Sequence, residues 1–243
     1  MSISNTSKPI KIDKEQLTLQ DIDGITSAKL LSYNINHYPF AAIAAAVFKV
    51  NSLKYLHKDM SRYKLRQGKS PILAYSDNLV LRRMLQKLDD NSLFYKVYHH
   101  FVQQIICSVF GSKISYSSHP KMRVHLAGTP SVSKWHRDAD ITRRPEQINV
   151  WLPFTNVYQG NSLWVESDYG LADYKPVSLN YGQALIFDGG FLNHGTVDND
   201  TEVSRVSIDF RFSILGHNLP EAALSIFAHR PNDLQHFQHQ RVT

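Results

Sequence analysis

The chain has 243 residues, of which 42% are hydrophobic, 11% aromatic and 20% charged; these values exclude global disorder and fit one soluble domain or a domain with a helical annex. Lys and Arg outnumber Asp and Glu by 27 to 21, a formal charge of +6 with the 12 His held neutral, which allows an anionic partner without requiring one. The lone cysteine, Cys107, excludes an internal disulfide framework and a cysteine-built zinc site, and makes the cytoplasm the expected compartment.

Taken in chain order, Met1 to Ile10 lacks the apolar stretch of a secretory signal. The longest apolar run, Ala41 to Phe48, falls well short of the roughly 20 residues a membrane span needs, so no membrane association is expected. Apolar residues recur at helical spacing through 39–58, 77–90 and 92–110, broken by Pro39, the stretch from Gly68 to Pro71, and Gly111. Residues 1–115 are therefore expected to be mainly helical. Short strands follow at about 121–127, 132–136, 147–153, 161–166, 176–180, 183–188 and 203–214, cut by Gly and Pro turns. No internal repeat or low-complexity tract interrupts them. The expected fold class is α+β: a double-stranded β-helix (jelly roll, cupin-like) core over 116–215 with N-terminal helices packed on one sheet, all in a single domain spanning 1–243. Residues 216–243, rich in His and Gln, read as a short helix and tail with no assigned chemistry.

The segment Trp135-His136-Arg137-Asp138 places an imidazole and a carboxylate at i and i+2, which on a strand share one face. Alone, such a pair describes a surface dipeptide before a turn equally well. His194 adds weight, because it directly follows the apolar strand from Ala184 to Asp188, and a jelly roll brings such a late strand opposite the early one. Two His and one carboxylate on one side of a metal ion leave three adjacent positions open, the facial triad of non-haem Fe(II) oxygenases. In Ser204 to Ser213, period-2 alternation sets Arg205, Ser207, Asp209 and Arg211 on one face and Val206, Ile208, Phe210 and Phe212 on the other. Inward-facing charge needs a partner. A dicarboxylate cosubstrate would supply one, held in the guanidinium fork of Arg205 with a nearby hydroxyl donating a further bond; Ser207 is the hydroxyl on that face. The alternative is an Arg205/Asp209 ion-pair ladder facing solvent.

Together the segments WHRDAD (135–140), INVWLPFTNVYQGNSLWVES (148–167), LNYGQALIFDGGFLNHG (179–195) and SRVSIDFRF (204–212) resemble the 2-oxoglutarate/Fe(II)-dependent dioxygenases of the phytanoyl-CoA hydroxylase-like superfamily, and within it the group that contains an oxygenase of streptomycin biosynthesis. The resemblance covers roughly residues 120–215. It implies that His136, Asp138 and His194 are metal ligands for Fe(II) and that Arg205 grips the distal carboxylate of 2-oxoglutarate. It further implies that Thr196, Trp151 and Asn149 belong to the cosubstrate pocket, with His125 and Arg123 on the strand before. Arg137 stands where some relatives carry an amide that touches the cosubstrate. The implied reaction consumes O2, releases succinate and CO2, and hydroxylates an unactivated C–H of a small polar molecule: an amino acid, a peptide or a sugar-type intermediate. A carboxylate at 138 disfavours halide transfer, for which relatives keep a small residue there. Arg143 and Arg144, in the loop from Ala139 to Gln147, are candidate contacts to an anionic substrate, as are Arg211, Tyr75 and Tyr98; solvated loop arginines are the bland alternative. Two other functions are open: a nucleic-acid dealkylating oxygenase, for which the Arg205 and Arg211 spacing speaks, and a cupin-like module that binds metal or ligand without turnover. Basic charge spread along the chain rather than grouped in a stripe makes a nucleic-acid partner the less expected one.

Overall fold

A computed structural model of the chain describes residues 17–216 and 218–231. The first described elements are strands, not helices: β1 (Leu19–Ile22) and β2 (Ile25–Ser32) form an antiparallel hairpin. A strand pair thus precedes the helices, where no strand was expected. The signal was present in Asp23-Gly24, a two-residue hairpin turn in which Gly24 takes φ 70 without the steric penalty of a Cβ. Four helices come next: α1 (Phe40–Phe48), α2 (Leu56–Arg66), α3 (Tyr75–Gln86) and α4 (Leu93–Phe101). The helical pattern through 39–58 is interrupted because Lys49 turns left-handed, φ 57, and closes α1. Through a π-helical turn, Val102–Ile106, α4 runs on into α5 (Cys107–Phe110).

The remaining elements are β3 (Ile114–Tyr116), β4 (Lys121–His125), α6 (Asp138–Thr142), β5 (Ile148–Pro153), β6 (Trp164–Val165), β7 (Lys175–Pro176), β8 (Gln183–Phe187), β9 (His194–Gly195), β10 (Arg205–Ile214) and α7 (Glu221–Phe227). Residues 132–136, expected as a strand, form a loop that touches the sheet only through an isolated antiparallel bridge between His136 and His194. The strands expected at 161–166 and 176–180 shorten to the two-residue β6 and β7. Short helix α7 opens the segment expected as a tail; Met1 to Ile10 and the end of that tail, 232–243, lie outside the described residues.

Among the described residues the strands form two antiparallel sheets. The larger has seven strands in the order β1-β2-β8-β5-β10-β3, with β4 also paired to β10; the smaller has the order β7-β6-β9. Strand alternation divides the larger sheet cleanly. Met122 and Val124, Val150 and Leu152, Ala184 and Ile186, and Val206 to Phe212 at every second residue enter one apolar core with Phe40, Phe94, Tyr98, Phe101 and Ile226 from the helices. The N-terminal helices and α7 therefore cover this face. Aromatic contacts knit the layer, including a parallel stack of Phe40 on Phe154 with centroids 5.2 Å apart, and burial of such side chains is the dominant stabilisation here. The opposite face contributes Trp151, Leu185 and Phe187 to a second cluster with Val157, Leu163, Val165, Val177 and Leu179 from the segments around the smaller sheet. Polar residues on that face, including Arg205, Asn149 and Asp209, are thereby aimed into the space between the sheets, where the site lies.

Candidate metal centre

His136, Asp138 and His194 converge, with one potential ligand atom from each within 4.8 Å of the others. No regular strand carries the first two. His136 is fixed by mutual backbone hydrogen bonds with His194, N to O 3.0 Å in both directions. Two residues on, Asp138 begins α6, and its N–H donates to the Gly189 carbonyl at 2.8 Å while Ala139 N–H donates to Gly190 at 3.1 Å. Arg137 between them is extended, φ −107 and ψ 134, so the Asp138 carboxylate points to the same side as the His136 imidazole. Gly189 has to be glycine for this close approach: a Cβ there would lie 2.5 Å from the amide of Asn149. At Gly195 a Cβ would meet the Trp135 ring at 2.8 Å.

Each imidazole is set for metal ligation. Nδ1 of His136 faces the Lys134 carbonyl at 2.7 Å and Nδ1 of His194 faces that of Leu192 at 2.9 Å. A carbonyl only accepts, so each Nδ1 carries a proton and each Nε2 is the ring nitrogen left to face a metal. Burial, with the nearby His136, pushes His194 down to about 4 and keeps it neutral. For Asp138, burial acts to raise the pKa, yet the His136 hydrogen bond, the neighbouring His194 and Arg211 side chains, and the Asn149 amide together hold the carboxyl well below the usual carboxylate range. Its two oxygens are differentiated. Oδ2 accepts from Asn149 Nδ2 at 2.5 Å and lies 2.8 Å from Arg211 Nε, while Oδ1 faces His136 Nε2 at 3.6 Å. The same Asp138 contact acts in the other sense on His136, raising its pKa above the ordinary imidazole value. Two imidazoles and an ionised carboxylate oriented by outer partners form a donor set suited to a divalent cation, which binds in competition with protons.

The cavity over this group is walled by Asn149 and Trp151 of β5, Leu163, Phe187, Thr196, and Lys121, Arg123, Arg205, Asp209 and Arg211 of β4 and β10. Two of the cations have acidic partners: Arg123 with Asp209 at 3.0 Å, and Arg211 with Asp138. Arg205 is different. It is 2% exposed, it donates from Nη1 to the Asn161 carbonyl at 3.0 Å, and its Nε has no partner among the described residues. Its guanidinium lies 5.7 Å from the Trp151 ring. Burial and the neighbouring Arg123 push Arg205 down to about 9, which still leaves it charged at neutral pH. Ser207, next but one on the same strand face, is also buried with an orphaned hydroxyl. An unpaired donor on a buried cation is costly unless an acceptor meets it.

The other sequence candidates are placed as follows. His125 sits opposite Arg205 across the β4–β10 ladder, fully buried, with Nε2 facing the Thr129 carbonyl at 3.3 Å. Thr196 lines the cavity, but its hydroxyl accepts from Val132 N–H at 3.0 Å and Ser133 N–H at 2.9 Å, so it pins the loop before His136. Arg143 ends α6 in a left-handed conformation, φ 56, and Arg144 bonds Glu146 at 3.1 Å; neither is part of the cavity wall. Tyr98 points into the helix-side core, its hydroxyl donating to the Ser117 carbonyl at 2.5 Å, and Tyr75 lies at the start of α3, also outside the wall. The reading missed Lys121 as a wall residue, although the alternation of β4 places it on the face of Arg123 and His125. It also missed the service of Asn149 and Arg211 to Asp138, which no local pattern announces.

Burial, then the charge of Arg205, pushes His125 down from 6.5 to about 3. Below pH 6.5 the unfolded chain binds a proton that the folded chain refuses, so this contribution to stability is complete above about 6.5 and drains away as pH falls towards 3, by at most about 1.4 kcal/mol per pH unit. Urea unfolding of the wild type and His125→Gln is expected to show a shallower acid-side loss in the variant. Parallel profiles would remove His125 as the cause.

No family model matches the chain. The chain is similar to several solved structures. AviO1 from Streptomyces viridochromogenes Tue57 is 18% identical over 56% of this chain and 66% of that one, TM-score 0.43. The non-haem monooxygenase ThoJ in its nickel complex is 17% identical over 60% of this chain and 76% of that one, TM-score 0.42. An oxidoreductase of the 2OG-Fe(II) oxygenase family from Burkholderia pseudomallei is 15% identical over 52% and 61%, TM-score 0.38. In sequence, the chain is 38% identical over 131 residues, 54% of its length, to the streptomycin biosynthesis protein StrG of Streptomyces griseus, and the matched region spans 60% of that relative.

Proposed function

We propose that this chain is a non-haem Fe(II)/2-oxoglutarate-dependent oxygenase of the phytanoyl-CoA hydroxylase-like type, built on a double-stranded β-helix, that hydroxylates an unactivated C–H of a small polar molecule. The observation that carries the reading is Arg205: a buried guanidinium with an orphaned Nε, on the wall of the cavity that holds two His and one carboxylate. A metal site alone gives no reason for that cation; a dicarboxylate chelated at one end and anchored at the other does. The fit rests on the donor set and the orphaned donors. Bound together, iron, 2-oxoglutarate and O2 supply the oxidising chemistry, with succinate and CO2 as coproducts.

The chain's own residues do the placing. His136, Asp138 and His194 hold the ion on one side, and Asn149 and Arg211 fix the Asp138 carboxylate through its outer oxygen. Arg205 and Ser207 receive the distal carboxylate, with Trp151 as the wall beside them. Phe187 and Leu163 keep the interior apolar, which excludes water and strengthens each of these interactions. An open groove along Lys134, Trp135, Val197 and Asp200 joins the cavity at Ser133 and Thr196 and is the approach for the main substrate. The streptomycin biosynthesis name of the 38% relative supports a natural-product intermediate as the substrate class. Because Arg211 faces Asp138, the Arg205/Arg211 pair is not displayed for a nucleobase, and nucleic acid is not the partner proposed. No helix among the described residues is long and apolar enough to cross a membrane.

Anaerobic titration tests the reading. Fe(II) and 2-oxoglutarate together, but neither alone, are expected to give a weak visible metal-to-ketoacid absorption band, after which small polar molecules are screened for substrate-dependent succinate and a one-oxygen mass gain. Absence of the band with both present sinks the proposal.

A further inference from the structure

Beyond the cavity, the C-terminal segment contributes one side chain to the architecture of the site. Arg230, which follows α7, is fully buried together with Asp188. Its Nε donates to Asp188 Oδ2 at 2.8 Å, and its Nη2 donates to Asp188 Oδ1 at 2.8 Å and to the Pro145 carbonyl at 3.0 Å. The guanidinium lies over the rings of Phe191, 4.6 Å, and Phe227, 4.2 Å, and Tyr169 donates a further bond to Asp188 at 2.7 Å.

What Arg230 joins is specific. Asp188 directly follows β8 and opens the turn whose Gly189 and Gly190 carbonyls receive the N–H groups of Asp138 and Ala139. The Asp188 carbonyl accepts from Leu192 N–H at 2.8 Å, and the Leu192 carbonyl orients His194 through Nδ1. Pro145 belongs to the loop that leaves α6, the helix that Asp138 begins. A single planar fork therefore ties together the segment behind one imidazole and the segment behind the carboxylate. Arginine suits this task, since a rigid guanidinium presents parallel donors to a carboxylate and leaves another for a carbonyl.

We infer that Arg230 is a positioning residue of the metal centre: through Asp188 and Pro145 it sets the separation of the Asp138 and His194 segments, so that metal affinity depends on a side chain that touches no ligand. The inference rests on the proposed metal centre and adds to it a dependence on the C-terminal segment. A buried ion pair of this kind contributes little net stability compared with an apolar packing of equal volume, so its effect is sought in ligand geometry rather than in folding alone.

Co(II) binding to the full-length chain, followed by its visible spectrum and by calorimetry without cosubstrate or turnover, is the test. Arg230→Met is expected to weaken Co(II) binding about 10- to 100-fold, the range typical of outer-shell residues, and to change the spectrum. Arg230→Lys, which keeps the charge but cannot span both Asp188 oxygens and Pro145, should recover part of the affinity. Phe110→Leu, at a helix-side contact with Phe212, controls for general destabilisation and should bind Co(II) like the wild type. Wild-type affinity in Arg230→Met, or an equal loss in Phe110→Leu, overturns the inference. If Arg230→Met does not fold, a wild-type affinity and spectrum in Arg230→Lys overturns it instead. His136→Ala separates the two readings: if it retains wild-type Co(II) binding, the metal centre itself is wrong and the role of Arg230 falls with it. If His136→Ala loses the ion and Arg230→Met does not, only the role of Arg230 fails.

Discussion

An Asp138→Ala protein is expected to lose divalent-metal binding by more than about 100-fold, a larger effect than outer-shell changes produce, and to make no iron-dependent succinate. The carboxylate is the one anionic member of the ligand group, and a neutral pair of imidazoles holds a hard divalent ion poorly. Its removal also leaves Arg211, whose side chain is 12% exposed, without the oxygen it faces, and uncompensated burial of a charge destabilises by up to about 3–5 kcal/mol. Thermal unfolding without metal separates the two consequences. Asp138→Asn keeps the shape and the Asn149 neighbourhood, so it should unfold closer to the wild type while still failing to support turnover. Succinate formation at the wild-type rate in Asp138→Ala would show that the ligand assignment is wrong.

Arg205→Met is expected to separate stability from binding in opposite directions. Charge-assisted hydrogen bonds contribute about 1.5–3 kcal/mol each, so losing a bidentate grip should weaken 2-oxoglutarate binding by about 100-fold or more, read as its dissociation constant on the metal-loaded protein. The unliganded fold should be no less stable, because methionine fills similar volume beside Trp151 and removes a buried cation that lacks an acidic partner. Arg205→Lys should fall between, keeping the charge but not the fork. An ordinary core residue would behave otherwise, losing stability with no selective loss of the anion. Unchanged cosubstrate affinity would return Arg205 to a structural role.

The strand pattern from Ser204 to Ser213 was legible because alternation is a property of the extended backbone itself: Arg205, Ser207 and Asp209 face away from Val206, Ile208 and Phe210 whatever lies on either side. The same local geometry made Asn149 and Trp151 readable as neighbours on β5. His136 and Asp138 share a direction across the extended Arg137, as alternation leads one to expect, although a loop and the start of α6, not a regular strand, carry them. The Asp23-Gly24 hairpin was legible and overlooked.

By itself, then, the sequence determined the composition of the ligand group, the polar face of β10 and the apolar face that the helices cover, because these follow from side-chain chemistry and a fixed backbone period. Only the tertiary structure decided which groups serve which. That Asn149 and Arg211 meet one oxygen of Asp138, that Arg205 is left with an orphaned donor, and that Arg230 reaches Asp188 and Pro145 depend on sheet register and loop closure between segments far apart in the chain. Register is set by the packing of both sheet faces together, and no stretch of local pattern contains it.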